Sequence, residues 1–209
     1  MPHAQRIAEF LLDIGAVKLN VAEPFTWTSG IRSPMYCDNR MLYSHPAARR
    51  YVVDALCQRV RNIHIPPDVI AGTATAAIGW AALVADRLEL PFVYVRSQAK
   101  GHGMGKRIEG DLAAEKHVVV VEDLLSTGGS AASTVEALRG EGKAVVTDVV
   151  SIFSYEFTSA REKANELQLH FHPLSTITAL VDVAVEEGRI TADDAAEIAR
   201  FIRDPEHWR

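Results

Sequence analysis

From Asp68 onward the chain alternates short apolar runs with stretches of helical periodicity, and that alternation predicts most of its architecture. Val69 to Ala71 reads as a strand, Gly72 as a turn, Ile78 to Leu88 as a helix, and Phe92 to Val95, after Pro91, as a second strand. Together they make one βαβ unit. Val118 to Val121 is apolar at every position, the pattern of a parallel strand buried on both faces. A helix is expected from near Ser130, turning Val135 and Leu138 inward and stopping around Gly140 and Gly142, before a strand over Val145 to Phe153. Helical spacing returns at Ala160 to Leu167, a short strand follows near Leu169 to Phe171, and Gly188 divides two terminal helices. Thr191 and Asp194 have the spacing of a capping box for the last one.

The first third reads differently. Ile7, Phe10, Leu11 and Ile14 sit at helical spacing with Glu9 and Asp13 between them. Glu23 to Arg40, EPFTWTSGIRSPMYCDNR, is broken by Pro24, Gly30 and Pro34, and its aromatics favour short extended pieces. Ser44 and Pro46 open a helix through Tyr51, Val52, Leu56 and Val60 that ends before Pro66 and Pro67. The fold class is therefore α/β, with helices on both sides of a mainly parallel sheet. We divide the single domain into a helix and hood segment over 1–66, an α/β core over 67–174 and terminal helices over 175–209.

Composition removes several functional classes. In 209 residues, 48% hydrophobic and 23% charged, the formal net charge is −5, so there is no global basic field for nucleic acid or anionic membrane, and any anion site must be local. Cys37 and Cys57 have no metal-ligand spacing and imply no disulfide framework, which fits a reducing cytoplasm. The N-terminal helix carries acids where a signal peptide is unbroken and apolar. Ile70 to Ala85 is interrupted by Gly72, Thr73, Thr75 and Gly79 and is not a spanning helix. A soluble protein is expected.

The chemistry is concentrated in VVVVEDLLSTGGSA, Val118 to Ala131, where a buried strand runs into two adjacent carboxylates and then a small-residue turn opening a helix. Amides of Thr127, Gly128, Gly129 and Ser130 can converge there on a phosphate, because glycine permits close approach and a helix N-terminus favours negative charge. The macrodipole adds only about 0.3–1 kcal/mol at an exposed end, so direct hydrogen bonds must supply most of the affinity. Glu122 and Asp123 would repel a bare phosphate and need sugar hydroxyls or a divalent cation as partners. A phosphorylated ribose with magnesium supplies all three. The plainer reading is a polar turn on a well-capped helix with no ligand. GHGMGKR, Gly101 to Arg107, matches neither the P-loop nor the dinucleotide fingerprint. His170 and His172 share a strand face without a third ligand and make a poor metal site.

VVVVEDLLSTGGS resembles the phosphoribosyl pyrophosphate (PRPP) signature of the type I phosphoribosyltransferases, and the resemblance implies a doubly wound sheet carrying a small hood subdomain. In that family the acidic pair holds the ribose hydroxyls and the following turn the 5'-phosphate, which implies a PRPP site of Glu122, Asp123, Leu124, Leu125, Ser126, Thr127, Gly128, Gly129 and Ser130, with Glu122 and Asp123 nearest any metal, directly or through water or PRPP. YVRSQAKGHGMGKRIEGD, Tyr94 to Asp111, resembles the catalytic loop of the orotate phosphoribosyltransferases, and FTWTSGIRSPMYCDNR resembles their hood. The resemblance covers most of the chain. It implies PRPP contacts from Arg96, Lys100 and His102, catalytic roles for Lys100, His102 and Asp123, an orotate contact from Ser126, magnesium as cofactor, and a homodimer whose loop reaches the neighbour's site. GTATAA, Gly72 to Ala77, falls where the family's turn lies against pyrophosphate, although a turn of small residues serves close packing equally well. Physically, Lys100, His102, Lys106 and Arg107 on glycine-rich chain suit a cationic lid. Some orotate enzymes carry lysines where Thr28 and Ala76 align and an arginine near the place of Ser154, and those cations are missing here. The rivals are a purine phosphoribosyltransferase, which the signature alone would suit, and a PRPP-sensing regulator, for which no DNA-binding segment or basic face is evident.

Overall fold

The structure, a computed structural model, describes residues 3–27, 30–98 and 106–208. Its centre is a six-stranded sheet in the order β10-β9-β8-β5-β6-β7. The strands are β5 (Val69–Thr73), β6 (Phe92–Val95), β7 (Ile108–Glu109), β8 (His117–Leu125), β9 (Val145–Ser154) and β10 (His170–Thr176). All neighbours are parallel except β7, which returns antiparallel along β6. From β5 the chain passes through α3 (Ile78–Leu88) to β6 on one side; β8 then pairs with the other edge of β5, and α4 (Gly129–Gly140) and α5 (Thr158–Glu166) carry the chain outward to β9 and β10. The winding thus reverses between β5 and β8, and the crevice beyond the carboxyl ends of those two strands is where an open α/β sheet takes its ligand.

The apolar run of β8 is explained by two covered faces. Val119 and Val121 enter a large cluster with α2 (Pro46–Arg61), α3 and the terminal helices, while Val118 and Val120 pack beneath α4. The larger cluster runs from Ile7 on α1 (Ala4–Asp13) to Phe201 on α7 (Ala192–Arg203), and α6 (Ile177–Glu186) packs against α1. Gly72 permits the close approach of β5 to α3, since a Cβ there would stand 2.9 Å from that of Ala81. The α7 capping box is present in both directions between Thr191 and Asp194.

Above the sheet, the hood is two antiparallel pairs: β1 (Val17–Leu19) with β4 (Met35–Cys37), and β2 (Phe25–Thr26) with β3 (Arg32–Ser33). Trp27 ties them to the core, its indole donating to the Met35 carbonyl at 3.1 Å and stacking on Tyr155 at 5.3 Å. Three features differ from the sequence expectation. β8 continues four residues past Val121 because pairing with β9 persists through Leu125 and Ser154. β10 extends to Thr176, and a 3-10 helix, Asn39–Ser44, precedes α2. Neither had a hydrophobic period long enough to announce it.

Candidate functional site

β8 delivers its two carboxylates to the crevice in different settings. Glu122 is 3% exposed, with Oε1 accepting the Asp123 amide at 3.0 Å. Its Oε2 is buried and closes no hydrogen bond of good geometry among the described residues, although the Thr73 hydroxyl across the crevice is near enough to favour the charged form. Asp123 is less buried and its carbonyl accepts from the Asn39 side chain at 2.7 Å. Burial first, then the charge and hydrogen bond of Asp123, push the Glu122 carboxyl well above the usual carboxylate range. Burial also raises Asp123, while the hydrogen bond from Glu122 acts in the opposite direction. Both shifts favour the uncharged form, more strongly at Glu122, and hydroxyl donors or a dication would favour the charged one.

The raised Glu122 has a sign that can be checked. A carboxyl whose folded pKa exceeds its unfolded value binds more protons folded than unfolded, so stability falls as pH rises from the unfolded value towards the folded one. Glu122→Gln removes that cost and keeps a donor towards Asp123. The ligand-free variant is expected to be more stable than the parent at pH 8, with the advantage gone at pH 4. Urea unfolding at the two pH values measures this, and a variant less stable than the parent at pH 8 would refute the raised Glu122.

Beyond Asp123 the strand ends in a turn that opens α4. Gly128 occupies its N-cap with φ +79°, a left-handed conformation that a side chain would strain, and no side chain caps the helix. The amides at this N-terminus are thus left to an incoming anion. The turn separates two cavities. Ser126 and Thr127 face one of about 580 Å³, walled by Trp27, Tyr36, Tyr155 and Phe157. Gly129 and Ser130 face one of about 250 Å³, lined with Thr73, Ala74, Ser97, Ser133 and Arg107. One suits a flat ring, the other a polar, anionic group. Cys37 borders the larger cavity, but burial and the nearby Asp123 and Asp38 charges push its thiol well up, so it is not a nucleophile at neutral pH.

The residues singled out in the sequence fall as follows. Glu122, Asp123 and Ser126 to Ser130 converge on the crevice end of β8 and its turn. Leu124 borders the aromatic cavity. Leu125 needs a correction: its side chain is buried under α4 and its carbonyl accepts from Tyr155, so that side chain cannot meet a ligand. Arg96 stands at the end of β6, its guanidinium 3.5 Å from Glu109. Lys100 and His102 lie outside the described residues. Arg107 does not belong to a free lid: it donates to the Arg96 carbonyl and the Ser133 hydroxyl, both at 2.9 Å, and so fixes the loop's return to α4. Asn39, Tyr43, Tyr155 and Phe157 were not singled out. The aromatic pair was visible in SIFSYEF, whereas nothing in sequence distinguished Asn39 or Tyr43.

Comparison with known proteins agrees with this geometry. Residues 38–186 match the model of the phosphoribosyl transferase domain. Over all 209 residues, and all of the relative, the chain is 44% identical to an orotate phosphoribosyltransferase of Coxiella burnetii. It is 47% identical to one of Bacillus mycoides over 98% of each chain. A crystal structure of orotate phosphoribosyltransferase from Aeropyrum pernix, 28% identical, superposes with a TM-score of 0.74 over 88% of this chain and 99% of that one. With the crevice, the turn and the full-length similarity in agreement, the chain belongs to the phosphoribosyl transferase family and, within it, to the orotate phosphoribosyltransferases.

Proposed function

We propose that this protein transfers the 5-phosphoribosyl group of PRPP to N1 of orotate, giving orotidine 5'-monophosphate and pyrophosphate in the synthesis of pyrimidine nucleotides. The observation that carries the reading is the Ser126 to Ser130 turn, rooted on Glu122 and Asp123, with an aromatic cavity on one side and a polar one on the other. The turn takes the 5'-phosphate, the acidic pair takes the ribose hydroxyls, and the base lies among Tyr36, Tyr155 and Leu124 with Ser126 at its edge. Thr73 and Ala74, at the end of β5, border the departing pyrophosphate. Bond breaking at C1 leaves positive charge on the ribose, which the carboxylates stabilise, while negative charge grows on the leaving group. Arg96, Lys100 and His102 answer that charge, and closure of the loop that carries Lys100 and His102 keeps water from the ribosyl cation.

Magnesium fits the donors present: two carboxylates, one with a buried oxygen lacking a well-formed hydrogen bond, match an ion that takes one or two protein carboxylates and completes its shell with water and phosphate. Bound there beside PRPP, it would supply neutralising charge to the pyrophosphate; Glu122 and Asp123 would hold it directly or through water. Around the larger cavity the described lining offers hydroxyls of Thr26, Ser126, Thr127 and Ser159 and no lysine or arginine, so hydrogen-bond donors meet the orotate carboxylate. The working unit is a homodimer in the cytoplasm, with each loop serving its neighbour's site. No helix among the described residues is long and apolar enough to cross a membrane.

The test is the loss of orotate absorbance on mixing the protein with PRPP, orotate and magnesium, beside reactions offering adenine, hypoxanthine or uracil. Magnesium-dependent consumption of orotate alone is expected. Consumption of another base would overturn the assignment of the aromatic cavity, and PRPP binding without turnover would favour a regulator.

A further inference from the structure

The pairing of β5 with β8 stops at Gly72 and Val121, so the two strand ends diverge beyond that point. The crevice between them has the turn after Thr73 on one wall and Glu122 and Asp123 on the other. Backbone hydrogen bonds of the sheet do not set its width. One short element touches both walls, namely the 3-10 helix Asn39–Ser44.

Asn39 is 1% exposed and both ends of its amide are engaged. Its Nδ2 donates to the Asp123 carbonyl at 2.7 Å, and its Oδ1 accepts from the Cys37 thiol at 3.3 Å. Four residues on, the Tyr43 hydroxyl donates to the Ala76 carbonyl at 2.8 Å and accepts the Trp80 amide at 3.0 Å. Its ring stacks on Trp80 with centroids 4.3 Å apart and planes 17° from parallel. The glycine at 79 gives the hydroxyl its space, since a Cβ there would stand 2.8 Å from it. Burial pushes the phenol up to about 12, so it remains a donor throughout the physiological range. Arg49 adds a hydrogen bond to the Tyr43 carbonyl at 2.6 Å, tying the element to α2.

We infer that Asn39 and Tyr43 are positioning residues that together brace the two walls of the crevice, fixing the turn at Ala76 against Asp123 and so setting the affinity for PRPP without touching the base. The inference rests on the reading of the crevice as the PRPP site. Neither side chain lines either of the two cavities. Asn39 holds the main chain of Asp123, next to Leu124 of the aromatic cavity, and Tyr43 holds the turn that follows Thr73 and Ala74 of the polar one.

Tyr43→Phe removes one hydroxyl and keeps the stacked ring; Asn39→Ala removes the other anchor. Calorimetric titration of the full chain with PRPP and magnesium, orotate KM and thermal unfolding are measured for each and for the double variant. Each single change is expected to weaken PRPP binding about three- to tenfold, as loss of one net hydrogen bond would, with the orotate KM within about twofold. The double variant is expected to fall short of the product of the two effects, because either change alone loosens the same crevice. Unchanged PRPP affinity with only a lower melting temperature would overturn the inference, as would equal weakening of PRPP and orotate. Fully multiplicative effects would overturn the shared brace. Should Asn39→Ala not fold, Tyr43→Phe decides by its split between PRPP and orotate. Absence of PRPP binding by the parent overturns the functional reading and this inference with it, whereas normal binding by parent and variants alike overturns the inference alone.

Discussion

Asp123→Asn is expected to weaken PRPP binding about 10²-fold while leaving the fold intact, since two hydrogen bonds to a charged carboxylate at about 1.5–3 kcal/mol each exceed what a neutral amide retains. The substitution is clean because the main chain at this position is held independently of the side chain. The Asp123 amide donates to Glu122, and its carbonyl is fixed by Asn39. Burial, the main cause of the raised Glu122, remains, but the change removes the charge and hydrogen bond of Asp123 that add to it, so Glu122 ionises more readily in the variant. A lone Glu122 carboxylate then remains to meet the ribose, but deeper in the wall, with one oxygen already accepting the 123 amide. Calorimetry with PRPP and magnesium gives the affinity, and unfolding in urea gives the stability. An affinity within twofold of the parent's would remove the ribose from Asp123.

This site was legible where its chemistry is local in sequence. The strand, acidic pair, small-residue turn and helix of Val118 to Ala131 are contiguous, so their order along the chain is their order in space. The alternating elements from Val69 to Phe153 were legible for a related reason: strands covered on both faces read as apolar runs, and the helices between them keep their period. What stayed hidden depends on contacts far apart in sequence. Asn39 meets Asp123 across 84 positions and Tyr43 meets Ala76 across 33, and neither residue type nor spacing announces such a partner. Arg107 shows the converse. In sequence it is one more cation of a basic loop, and only its hydrogen bonds to Arg96 and Ser133 mark it as an anchor. Leu125 was read as part of the ligand turn because it lies within the motif, but the strand's alternation sends its side chain the other way from Leu124.

Lys100→Ala is expected to lower kcat about 10²–10³-fold, the usual cost of removing one preorganised group that stabilises transition-state charge. The arginines near the polar cavity have other partners in the ligand-free protein: Arg96 faces Glu109, and Arg107 is bound to Ser133. On the proposed function, the remaining charge on the leaving group falls to a loop cation, and Lys100 in AKGHGMGK is the residue that the resemblance to the orotate phosphoribosyltransferases implies for that role. The PRPP affinity and the melting temperature should change far less than kcat. Mixing variants tests whether the loop serves its own site or its neighbour's. If the loop crosses the dimer, Lys100→Ala refolded with an equal amount of Asp123→Asn restores one intact site in each mixed dimer, and about a quarter of the parent's activity returns by random pairing of subunits. Each pure variant stays near its own low rate. No recovery, with mixed dimers demonstrated by differential tagging, would place Lys100 and Asp123 in the same subunit's site, and an unchanged rate for Lys100→Ala alone would take the lysine out of the reaction.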